Sequence, residues 1–245
     1  MGHNMKIPDP RWSANVYAEI FRDDCYRLKR RIPVTPTAVY DIGANLGVFT
    51  NYAKQIWPSS KVVCIEPNQH NFSVLLETTA HLSSVVAINA ALGTGPVRWL
   101  EAIGGNANPG GHSYLCECVG YSRDDIQTLS STDCMVLSLD ELFQSHPSNG
   151  EYLVKIDVEG AEECLFDHTP SNQVLRNAIY WTAELHFFAA RAREIPNADR
   201  LAPALLGTHG HVIRACLDWC YGFSDTHKVE LELLPNSGMV WCTRR

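Results

Sequence analysis

Four carboxylates in this chain of 245 residues stand at the ends of short apolar runs. Asp41 closes the run Ala38–Ile42, and Glu66 follows Lys61–Ile65. Asp157 follows Tyr152–Ile156, and Glu184 lies with His186 at the end of Ala178–Leu185. If these runs are parallel strands, their carboxyl ends open onto a common crevice, where ligands of open α/β sheets bind. A rim of carboxylates there suits a ligand that carries positive charge.

The first of these ends continues as DIGANLG, from Asp41 through Gly43 and Asn45 to Gly47. Gly43 permits a tight turn, and Gly47 would let the following helix approach a ligand closely. Glu66 lies 23 residues after Gly43, where an acid can accept hydrogen bonds from a ribose diol. A nicotinamide enzyme would share that acid but would want G-x-G-x-x-G and a pyrophosphate on the helix N-terminus. Here the glycines are spaced G-x-x-x-G, and Asp41 would repel a pyrophosphate. The set favours a cationic nucleoside, a description that S-adenosyl-L-methionine fits.

The elements that must position these residues alternate between β-rich runs and helical patterns, which predicts a mostly parallel sheet covered on both faces. Strands are expected at 38–42, 61–65, 85–90, 152–156 and 178–185, with two more near 211–217 and 238–243. Helices are expected near 46–57, 68–80, 161–166 and 198–206, and an amphipathic helix over 11–31 precedes the sheet. Residues 1–36 are read as a helical extension and 37–245 as one domain. The interval 94–138, with its run GGNANPGGHSY, is too long for an ordinary connection and reads as a hairpin-bearing insertion beside a substrate pocket.

Composition narrows the function classes. A hydrophobic fraction of 45% excludes a disordered chain, and a net charge of −7 argues against a nucleic-acid surface. No run approaches the roughly 18–20 apolar residues of a membrane span. No apolar N-terminal run suggests a secretory signal. The nine cysteines are scattered through apolar stretches without zinc-ribbon spacing, as expected for reduced thiols in the cytoplasm.

The chain resembles the FkbM-type family of S-adenosylmethionine-dependent methyltransferases. The resemblance rests on VYDIGANLGVFT (39–50), CIEPNQHNFSVL (64–75), AINAALG (87–93), LSLDEL (137–142), VKIDVEGAE (154–162) and AELH (183–186), in that order. It implies a Rossmann-like, seven-stranded class I methyltransferase fold. It implies that the Asp41–Gly47 turn holds the methionine moiety and that Glu66 holds the ribose. Pro67 and Asn68 would shape that edge, with Asn89 and Ala90 beside the adenine. It also implies a hydroxyl acceptor on a small molecule, natural product or sugar. An alcohol must lose a proton as it is methylated, which calls for a base. Asp157, Glu159 and His186 are the candidates, His186 for its near-neutral pKa.

Structural readings stand beside these. Asp157 and Glu159 could cap the next helix. Glu162 reads as a helix-surface or packing residue, and Glu184 as a partner for Lys155 inside its apolar strand. His209 and His211 read as ordinary loop residues. Asp157, Glu159, Glu184 and His186 would also suit a divalent ion, although no spacing demands one. Rival functions are transfer to protein or nucleic acid, a silent nucleoside-binding protein and, least favoured, an NAD-dependent oxidoreductase. The oligomeric state is left open.

Overall fold

The apolar runs become strands because both faces of the sheet they form are covered. A computed structural model describes residues 15–93, 99–102, 113–116, 135–159, 161–186, 210–233 and 237–245. In chain order the strands are β1 (Ala38–Ile42), β2 (Lys61–Ile65), β3 (Val85–Ile88), β4 (Ala90–Leu92), β5 (Trp99–Ala102), β6 (Ser113–Cys116), β7 (Met135–Leu137), β8 (Tyr152–Ile156), β9 (Tyr180–His186), β10 (His227–Leu233) and β11 (Ser237–Arg244). Seven of them form one sheet in the order β10-β11-β9-β8-β1-β2-β3. Only β11 runs antiparallel to its neighbours, β9 and β10. The order reverses between β1 and β8, so the crevice for a ligand opens at their carboxyl ends.

Alternation along each strand divides the buried side chains between the two faces. Tyr40, Ile42, Val154, Ile156, Trp181 and Ala183 point into one core. Val39, Leu153 and Tyr180 point into the other. The first core is closed by α3 (Leu139–Ser145), α4 (Thr169–Asn177) and α5 (Gly210–Tyr221). The second is closed by α1 (Val48–Ile56) and by the N-terminal segment, through Ile20, Tyr26, Leu28 and Ile32. The helix α2 (Gln69–Thr79) packs Leu75 against Ala44 and Cys64.

Several expectations are corrected. The N-terminal helix is broken. A π-helical turn over Ala18–Arg22 and a single turn over Leu28–Arg31 flank a bend with Asp24 and Arg27 at φ 51° and 56°. The Asp24 carboxylate causes the break, since it accepts the N–H groups of Leu28 (2.9 Å) and Lys29 (3.2 Å) and the Tyr52 hydroxyl (2.9 Å). The third strand stops at Ile88, and Ala90–Leu92 leaves the main sheet to pair with Met135–Leu137.

Residues 211–217 are helical, because Cys216, Trp219 and Cys220 are apolar at helical spacing and buried together. The penultimate strand is His227–Leu233 instead. Ala161–Leu165 is only a 3-10 turn, and the helix after β8 is α4. Its neighbour α3 begins with a Ser138–Glu141 capping box, a signal present in LSLDEL. The expected hairpin in the insertion is the antiparallel pair β5–β6. The helix expected near 198–206, and His209, lie outside the described residues.

Candidate functional site

The turn after β1 is shaped by three left-handed residues, Gly43 (φ 78°), Asn45 (φ 50°) and Gly47 (φ 83°). Neither glycine can be replaced without a clash. A Cβ at Gly43 would lie 1.8 Å from the Asp157 carbonyl oxygen. One at Gly47 would lie 2.8 Å from Leu75 Cδ1, so this glycine also serves the packing of α2. Glu66 joins this turn to the next. Its Oε2 accepts the Asn45 N–H at 2.8 Å, and its Oε1 accepts the Asn68 N–H at 2.9 Å. Burial pushes its pKa up to about 7 against the pull of those N–H groups.

The neighbouring candidates hold this edge together. Asn68 caps α2 by accepting the N–H groups of His70 and Asn71. Asn89 donates to the carbonyls of Glu66 (2.8 Å) and Pro67 (3.0 Å), so its amide N–H groups lock a strand end and do not reach for an adenine. Ala90 has no exposed surface and begins β4, which takes it out of the crevice.

Asp41 is likewise no free carboxylate. Its strand register sets it beside Lys155 of β8, and both are buried. Lys155 Nζ lies 3.2 Å from Asp41 Oδ1 and 3.6 Å from Asp157 Oδ2, and it donates to the Gly43 carbonyl at 2.7 Å. Asp41 Oδ2 accepts the Thr50 hydroxyl at 2.7 Å. Burial alone would lower the lysine pKa, but Asp41 and Asp157 outweigh it and keep the ammonium charged. The expected Lys155–Glu184 pair does not form, because the register puts Thr182 beside Lys155. The acid of the first turn is therefore compensated from within. It does not by itself select a cationic ligand.

A second group of acids gathers on the other side, at the ends of β8 and β9. Asp157, Glu159 and His186 each offer a ligand atom, and these atoms lie within 4.8 Å of one another. Thr182, Glu184 and His186 share the face of Tyr180, which turns the last two toward Asp157 and Glu159. His186 Nε2 lies 3.5 Å from Glu159 Oε2 and 3.7 Å from Glu184 Oε1. Its Nδ1 sits 3.1 Å from Glu162 Oε1. Glu162 also accepts the Val158 N–H at 3.0 Å.

Glu162 is thus no surface residue; it is buried and orients the imidazole. Burial would lower the His186 pKa, but Glu162, Glu159 and Asp157 raise it to about 10, so the free imidazole expected as base is here an imidazolium. Burial raises Glu159 and Glu184, reinforced by the neighbouring carboxylates and opposed by His186. Glu159 is also held at φ 52°, a strained setting for a residue with a side chain.

Two partners had no local signal in the sequence. The Tyr26 hydroxyl donates to Asp157 Oδ2 at 3.0 Å across 131 residues of chain, and only the β1–β8 register sets Lys155 beside Asp41. Glu162 did carry one, since it lies four residues after the Val158 N–H that it accepts.

Comparison with known proteins follows this geometry. Residues 41–219, which span both sides of the site, match the model of the methyltransferase FkbM domain. The methyltransferase sdnD of Sordaria araneosa is 29% identical over 170 residues, covering 60% of this chain and 65% of its own. The chain thus spans under two thirds of that relative. A methyltransferase FkbM from Methylobacillus flagellatus superposes with a TM-score of 0.51 at 12% identity, over 92% of this chain and 47% of its own. A putative rRNA methylase from Clostridium thermocellum superposes at 0.52 and 7% identity, over 91% and 94%. These two likenesses concern the fold, which is that of the class I methyltransferases. With the β1 turn and the VKIDVEGAE segment that carries Asp157 and Glu159 both inside the matched span, the chain belongs to the FkbM methyltransferase family.

Proposed function

We propose that this protein transfers a methyl group from S-adenosylmethionine to a hydroxyl of a small molecule, natural product or sugar. The observation that carries the reading is the contact between its two halves, with Gly43 of the first turn packed on the backbone of Asp157. In this reading the Gly43–Gly47 turn and Glu66 hold the cofactor, and Asp157, Glu159 and His186 face the acceptor. The acceptor oxygen attacks the methyl carbon opposite sulfur. The C–S bond breaks with its electron pair going to sulfur, the O–C bond forms, and the hydroxyl proton passes to the Asp157 carboxylate. Positioning supplies much of the rate in such a displacement.

The net charge of −7 supports a small acceptor over a nucleic acid. Among the described residues no helix is long and apolar enough to cross a membrane. The buried free thiols of Cys64, Cys216, Cys220 and Cys242 support a reducing, cytoplasmic setting.

The test has two arms. Calorimetry should show saturable binding of S-adenosylhomocysteine and none of NAD; the reverse would sink the reading. Trideuteromethyl-labelled S-adenosylmethionine incubated with cell extracts should then yield a labelled ether. Label appearing instead in protein or RNA would replace the acceptor class. Asp157→Asn should lower turnover while leaving S-adenosylhomocysteine affinity nearly unchanged.

A further inference from the structure

We propose that Asp157, Glu159 and His186 bind a hard divalent cation of the magnesium or manganese kind. This deepens the reading above, because the ion would sit where the acceptor hydroxyl must be held. Three donors from two strand ends converge within 4.8 Å of one another. Donor atoms on one ion, with bonds of about 2.1–2.4 Å, lie up to roughly 4–5 Å apart. The two carboxylates suit such ions, the imidazole is a ligand that many divalent metals accept, and no thiolate belongs to the set.

A second observation concerns the imidazole. His186 is 9% exposed, and Glu162 engages its Nδ1. That contact turns Nε2 toward the carboxylates of Glu159 and Glu184. A carboxylate behind a histidine, fixing its ring so that the far nitrogen faces the metal, is the usual support of a metal-bound histidine. Glu162 is in turn fixed by the Val158 N–H and the His186 N–H, so the support belongs to the backbone and not to a mobile side chain. Coordination requires His186 to give up its Nε2 proton, which metal binding drives.

The experiment uses the full chain dialysed against chelator, titrated with manganese chloride and followed by electron paramagnetic resonance. Saturation at one ion per chain is expected. Asp157→Asn and Glu162→Gln should each weaken it about 10–100-fold. Glu77→Gln, on the exposed face of α2, should not change it. Circular dichroism confirms that each variant is folded. No saturable manganese signal, or equal affinity in the Asp157 and Glu162 variants, overturns the proposal. S-adenosylhomocysteine titrated into the same samples separates the two readings. Its binding without manganese binding overturns only the cation. Manganese binding without it leaves the cation site and overturns the methyl-transfer reading.

Discussion

Individual side chains here act in two charge systems that share Asp157. Lys155 is the centre of the first, and its removal is expected to be costly because it strands Asp41 in a dry interior. Lys155→Met should lower stability by about 3–5 kcal/mol, read by urea unfolding. A loss below 1 kcal/mol would mean that Asp41 is satisfied by Thr50 alone. Glu66 gives two expectations. Glu66→Ala should weaken S-adenosylhomocysteine binding by about 1–3 kcal/mol in calorimetry. Its folded pKa of about 7 lies above the ordinary 4.5, so its contribution to stability is complete below about 4.5 and lost as pH rises through about 7. Thermal melts of Glu66→Gln across that window should lack this part of the slope. At this scale the sequence announced the acids well. Asp157, Glu159 and His186 meet, as their strand-end positions imply. It did not announce which charges cancel, because Asp41 and Lys155 are 114 positions apart and only the β1–β8 register makes them neighbours.

Elements tell a similar story. Strands with continuous apolar runs were legible nearly to the residue, since burial on both faces leaves little ambiguity. Breaks were less so. The bend at Asp24 arises from a side chain that competes for backbone N–H groups, which periodicity does not register. Residues 211–217 misread as a strand because a short apolar run looks alike in either state until its buried partners are known. The β1 turn was legible through its glycines, though Gly47 also serves packing against Leu75. Gly43→Ala tests the turn. The added methyl meets the Asp157 carbonyl and φ 78° is unfavourable for alanine. A loss of stability beyond the roughly 1–3 kcal/mol of ordinary overpacking is expected, together with loss of S-adenosylhomocysteine binding. Normal binding by this variant would show that the seam between β1 and β8 can open.

Over the whole molecule, the N-terminal segment is part of the structural frame. Ile20, Tyr26, Leu28 and Ile32 are buried in the same core as Val39, Phe49 and Tyr180. Burying each large apolar side chain contributes about 1.5–3 kcal/mol, against a total stability of about 5–15 kcal/mol. A chain starting at Val34 should therefore lose its cooperative melt, while Tyr26→Phe should keep it and lose only the hydrogen bond to Asp157. A sharp melt in the truncated chain would make the segment an accessory. The contact of Gly43 with the Asp157 backbone carries a consequence for how such a protein can diversify. The donor side and the acid side share one fixed datum, like two machine parts bored from a single face, and neither can drift without the other. Change of acceptor is then expected to come from parts that do not touch this datum, such as the loop bearing β5 and β6. Laboratory evolution toward a bulkier alcohol should collect its substitutions there and leave positions 43 and 157 alone.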